Sequence, residues 1–71
     1  MPRRFEFSKG SSSKFWEVRV AGSDVTVNYG RIGTDGQSQS KSFANATLAN
    51  KYAEKLIGEK TKKGYVETAT A

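Results

Sequence analysis

The densest recognition chemistry in the sequence lies in Val25-Thr26-Val27-Asn28-Tyr29-Gly30-Arg31-Ile32-Gly33-Thr34-Asp35-Gly36-Gln37. Alternating apolar residues run into an aromatic ring, a glycine and an arginine, and then into a glycine-rich turn. A ring beside a planar guanidinium can stack on a sugar or base and hold a phosphate through a forked pair of hydrogen bonds. The blander alternative is that Tyr29 continues the apolar face of Val25 and Val27 as a core-edge aromatic, with Arg31 a solvated charge at a strand end. A second set of donors follows in Gln37-Ser38-Gln39-Ser40-Lys41-Ser42, where amide, hydroxyl and ammonium groups fall in two alternating rows. Such donors contact phosphate oxygens. They equally suit a hydrophilic strand at a sheet edge.

Catalysis is the poorest fit. The chain has no cysteine and no histidine, so a nucleophile would have to be Ser, Thr, Lys or a carboxylate, with Lys or a carboxylate as its base. The serines at 11 to 13 and at 38, 40 and 42 have no paired acid motif beside them. Gly58-Glu59-Lys60-Thr61 superficially matches the end of a phosphate loop, but it lacks the upstream glycine spacing and falls inside a helical pattern. The same absences remove the usual ligands of a structural zinc site and any disulfide. The expectation is a protein with no catalytic residues, no metal and no cofactor.

The 71 residues suffice for one small domain. Twelve Lys and Arg against seven Asp and Glu give a net charge of +5. A positive field of this kind favours polyanions, although basic surfaces also serve solubility. Met1-Pro2-Arg3-Arg4-Phe5-Glu6 carries arginines without a following apolar run, so it is not a signal peptide. No stretch approaches the length of a membrane span. The cytoplasm, nucleoid association included, is the simplest location.

The elements that must position these residues follow from periodicity. Arg3 to Ser8 and Lys14 to Ala21 read as strands, with Trp16, Val18 and Val20 on one face and Phe15, Glu17 and Arg19 on the other. Ala21-Gly22-Ser23-Asp24 is a hairpin loop, and Val25 to Tyr29 continues the alternation. Gly33-Thr34-Asp35-Gly36 is a second loop, with Asp-Gly supplying positive φ. Gln37 to Phe43 follows as a polar strand. Asn45 is suited to cap a helix over about 46–63. In that helix Leu48, Tyr52 and Leu56 form one apolar row, expected to pack on Trp16, Val18 and Val20, and Ala49, Ala53 and Ile57 form the next. Gly58 and the alanines are expected to let the sheet approach. Gly64 suits the position after the helix C-cap, and Tyr65-Val66-Glu67 a last strand. The domain then spans 1–67, with 68–71 a disordered tail. Strands first and a helix last make the class α+β: an antiparallel sheet of four to five strands against one helix in the C-terminal half.

Read together, Phe15-Trp16-Glu17-Val18, Tyr29-Gly30-Arg31-Ile32-Gly33, Gly36-Gln37, Lys41-Ser42-Phe43 and Lys63-Gly64-Tyr65 resemble the WGR domain of eukaryotic poly(ADP-ribose) polymerases and of bacterial proteins. The resemblance runs from about Arg3 to Glu67. It implies a curved antiparallel sheet wrapped against one helix, and a part in recognising DNA ends. It also implies that the residue at the signature Trp packs near a terminal nucleotide and that the signature Arg takes part in interdomain contacts. These positions are Tyr29 and Arg31 here, so a phenol replaces the indole. No ADP-ribosyl transferase domain lies in these residues, so polymerase activity is not implied. The expected protein is a free-standing, monomeric, non-enzymatic binder of nucleic acid, DNA before RNA, through Tyr29, Gly30, Arg31, Gln39 and Lys41. The alternative is a module that docks a partner protein through the same surface.

Overall fold

The computed structural model describes residues 3–68, and the element order is five strands and one helix. The strands are β1 (Arg3–Lys9), β2 (Ser12–Ala21), β3 (Asp24–Arg31), β4 (Gln37–Ser42) and β5 (Val66–Thr68). The helix, α1, spans Ala46–Lys62. The strands form one sheet in the order β4-β3-β2-β1-β5, and every pairing is antiparallel. The fold is α+β, as the sequence pattern implies.

Alternation sorts the side chains onto two faces. Phe5, Trp16, Val18 and Val25 are buried under α1 together with Ala49 and Ala53. Phe15 points to the opposite face, yet it is only 3 % exposed. Two features cover it there. The Gly33–Gly36 loop folds back so closely that a Cβ on Gly36 would lie 2.7 Å from Phe15 Cζ. The Arg4 guanidinium sits 4.6 Å from the ring centroid, bonded on its other sides to Glu6 and Glu17.

Asn45 caps α1 as its type suggests, its side chain accepting from the Leu48 amide at 2.9 Å. The helix meets the sheet through small residues. Ala49 is 0 % exposed, whereas Leu48 is 44 % exposed and stands outside the row expected to pack. The rotation has a simple cause: seating α1 on alanines brings the helix axis close to the sheet, which turns Leu48 outward and leaves Tyr52, Leu56 and Ile57 at the flanks, half-buried against the core. Gly58 corrects a second expectation. A Cβ there would meet nothing within 4 Å, so the close approach is made by the alanines alone.

The chain ends by returning to the opposite edge. Thr68, expected in the tail, is the last residue of β5 and pairs with Arg4; the rest of that tail, residues 69–71, lies outside the described residues. Arg3 clamps this edge with two hydrogen bonds of 2.7 Å to Glu67, which hold the Glu67 carboxyl below its ordinary pKa.

The helix rotation makes a specific expectation. Leu48→Ala should lower stability by no more than about 0.5 kcal/mol, as for a surface change. Leu56→Ala should cost about 1–3 kcal/mol, the loss of a partly buried aliphatic chain. Urea unfolding of the two variants measures both. Equal losses would mean that α1 sits in the orientation the apolar spacing first implied.

Candidate functional site

The three residues of the signature do not all point the same way. Pairing places Tyr29 opposite Trp16 and Arg31 opposite Lys14, whereas Gly30 lies opposite Phe15 on the other face. Tyr29 and Arg31 therefore project to the helix side. Gly30 contributes by what it lacks, since a Cβ there would come within 2.8 Å of Gly36 Cα. The chain crosses itself at these two glycines. The turn after the signature is tied down by Ile32 N donating to Ser13 O and Thr34 N donating to Arg31 O, each at 3.1 Å. The Thr34 hydroxyl adds a bond to the same Arg31 carbonyl at 2.7 Å.

On the helix side these residues border a cleft of about 480 Å³, between the ends of β2 and β3 and the C-terminal end of α1. Trp16 is buried and forms part of the floor; Tyr29 is half-buried, its hydroxyl directed to Gln37 Oε1 at 3.5 Å. The helix end brings two further residues. Gly64, at φ +105°, takes the left-handed conformation, with Gly64 N donating to Thr61 O at 3.1 Å and Tyr65 N to Lys60 O at 3.0 Å. This paired-bond ending is the Schellman motif. It turns the chain so that Tyr65 comes back beside Lys60, whose Nζ lies 5.4 Å from the Tyr65 ring centroid and 5.8 Å from that of Trp16.

The electrostatics are one-sided. Lys14, Arg31 and Lys60 line the cleft together with Trp16, Tyr29 and Tyr65, Ser11 to Ser13 form its rim, and no carboxylate is among the lining residues described. None of those three cations forms an ion pair among the described residues. Like charges directly opposite on neighbouring strands, as at Lys14 and Arg31, are destabilising. Burial holds the Lys60 ammonium below its ordinary pKa, with Lys63 and Lys14 acting in the same direction and Glu59 opposing them. Cations with no ion-pair partner among the described residues, beside aromatic faces, have the chemistry to attract an anion that carries a flat group.

The sequence pattern of the WGR domain matches residues 1–71. The chain belongs to the WGR domain family. WGR domains are a nucleic-acid-binding type of domain. Among curated proteins it is 48 % identical over 67 residues to protein YehF of Escherichia coli, matching 94 % of this chain and 24 % of that protein. It is 43 % identical over 67 residues to E. coli YfeS, with 94 % of this chain and 28 % of that protein covered. The chain thus spans about a quarter of the length of these relatives. A crystal structure of a Bacteroides fragilis protein, a structural-genomics target, superposes with a TM-score of 0.94 at 59 % identity, covering 97 % of this chain and 20 % of that one.

Within this WGR domain the residues singled out from sequence fall into two places. Tyr29, Gly30 and Arg31 border the cleft. Gln39 and Lys41, opposite Val27 and Val25, line a separate shallow groove of about 200 Å³. Lys41 lies four positions from Tyr29 in the register, roughly 13 Å along a strand. Its ammonium rests 5.0 Å from the Tyr52 ring centroid and 5.5 Å from that of Phe43. The serines of β4 face the other way, where Ser38, Ser40 and Ser42 bond Asn28, Thr26 and Asp24 across the ladder. Lys14, Lys60 and Tyr65 were not among the expected site residues. No helix among the described residues is long and apolar enough to cross a membrane.

Proposed function

We propose that this WGR domain binds DNA, as a monomer and without turning it over, by taking a sugar or base of a strand terminus against Tyr29 and its phosphates against Arg31, Lys14 and Lys60. The observation that carries this reading is the cleft itself: three cations line it with Trp16, Tyr29 and Tyr65, and no carboxylate is among the described lining residues. Stacking supplies a sequence-tolerant contact. The cations supply affinity that depends on counterion release. Gln39 and Lys41 extend the same helix-side surface towards β4, where they would follow the backbone of a longer ligand. The basic composition and the family's nucleic-acid-binding character support the same partner class. DNA is chosen over RNA on the family resemblance.

An NMR titration with short duplex, nicked and single-stranded DNA, and with RNA, tests the reading. Shifts should concentrate on Lys14, Tyr29, Arg31, Lys60 and Tyr65. With about three cleft cations on phosphates, log K should fall against log salt with a slope near −2 to −3. Binding that ignores salt would instead favour docking of a protein. Absence of binding to every nucleic acid at low salt would remove the proposal.

A further inference from the structure

We propose that Lys60 captures an aldehyde-bearing sugar, such as the ring-opened deoxyribose of an abasic site, as a Schiff base when DNA occupies the cleft. The inference rests on the DNA-binding reading of that cleft.

Among the described lysines, Lys60 alone is half-buried; the others are exposed. The Schellman turn fixes its backbone, and Trp16 and Tyr65 confine its ammonium on two sides. It has no carboxylate partner among the described ion pairs. A lysine with those properties is the kind that serves as an amine nucleophile, because desolvation without a salt bridge raises the fraction of free amine. The ionisable groups around it are Lys14 from β2, Tyr29 and Arg31 from β3, Glu59 and Lys63 from the helix end, and Tyr65. Cations outnumber acids in that set, and burial and the cations both favour the neutral amine. The ring faces of Trp16 and Tyr65 favour the cation, so the free amine is a minority that the aldehyde draws off.

The step balances without an oxidant or reductant. The Nζ lone pair adds to the C1′ aldehyde carbon, the carbonyl electron pair moves to oxygen, and proton transfer gives a carbinolamine. A proton from solvent on the carbinolamine hydroxyl lets water leave, which gives the protonated imine. Amine, aldehyde and one proton become the iminium ion and water. The protonated imine acidifies the neighbouring C2′ proton, so the adduct is read by reducing it as it forms, ahead of strand cleavage by elimination.

The test uses the whole chain with a duplex carrying an abasic site at a terminus, in the presence of borohydride, which adds hydride to the imine and makes the link permanent. A matched duplex with a tetrahydrofuran analogue, which has no aldehyde, reports binding alone. The expected result is a covalent complex with the abasic duplex, none with the analogue, and a modified peptide that maps to Lys60. Trapping per bound complex should fall about tenfold or more in Lys60→Arg, which keeps the charge but has no nucleophilic amine. Lys62→Arg, on the exposed helix face, should trap as the parent does. Binding without trapping, or an adduct on Lys14 or another lysine, would overturn the inference and leave the DNA reading standing. Failure to bind either duplex would remove the DNA reading, and the capture with it.

Discussion

Gly36→Ala should lower the stability of the domain by about 2–5 kcal/mol, because Gly36 is the most tightly crowded of the described glycines. The reason is the crossing at Gly30 and Gly36. Gly36 has φ +74°, and a Cβ there would lie 2.5 Å from Tyr29 O, 2.7 Å from Phe15 Cζ and 3.0 Å from Tyr29 C. Backbone atoms of a central strand are among those contacts, so rotation of a side chain cannot relieve them. The loop must lift, which uncovers Phe15. A domain of this size has a total stability on the order of 4–10 kcal/mol, so much of the margin is at stake. Gly33→Ala is the matched control. Gly33 is also at positive φ, +95°, but a Cβ there meets nothing within 4 Å. Its cost should be backbone strain alone, about 1–2 kcal/mol. Denaturant unfolding of the two variants separates strain from collision. Equal losses would mean that the loop does not pack on β3 as closely as the crossing requires.

That crossing shows what was legible in the sequence and what was not. Strand alternation from Trp16 to Val20 and from Val25 to Tyr29 identified the buried face, because period 2 leaves a side chain only two directions. Asn45 and Gly64 marked the helix ends, because few residue types satisfy a cap or adopt a left-handed turn. The rotation of α1 was less legible. Leu48 and Ala49 are both apolar, and only the distance between helix and sheet decides which of them fits. Tyr29 and Arg31 could be placed together because they are near neighbours on one strand. Lys14 and Lys60 could not, since one depends on the β2–β3 register and the other on the Schellman turn. A signal for Lys60 did exist: once Gly64 is read as the residue after the C-cap, the following Tyr65 must return beside the residue three before the cap, which is Lys60. Gln39 and Lys41 share a face with Tyr29 but not its position along the strand, a separation that a one-dimensional pattern of donors does not reveal.

The two signature side chains should fail in different ways when DNA binding is measured across a salt series. Tyr29→Ala removes a stacking face and should weaken binding by about 1–3 kcal/mol, roughly 5- to 150-fold. Its salt slope should stay the same, because no charge is lost. Arg31→Ala should weaken binding and also reduce the magnitude of the slope by about one unit, because one fewer phosphate is neutralised. The Lys14 opposite makes the arginine informative. The two cations face each other with no ion-pair partner among the described residues, so removing Arg31 should leave stability unchanged or slightly raised even as affinity drops. A residue serving mainly as a structural landmark would behave in the opposite sense. Tyr29 needs the complementary control, since it packs against the core as well as lining the cleft. Tyr29→Trp provides it by keeping an aromatic face, enlarging the stacking area and losing only the long hydroxyl contact to Gln37. That variant should bind at least as tightly as the parent. Folded Tyr29→Ala and Arg31→Ala variants that bind DNA undiminished would move the binding surface off the cleft, with the groove at Gln39 and Lys41 the next place to test.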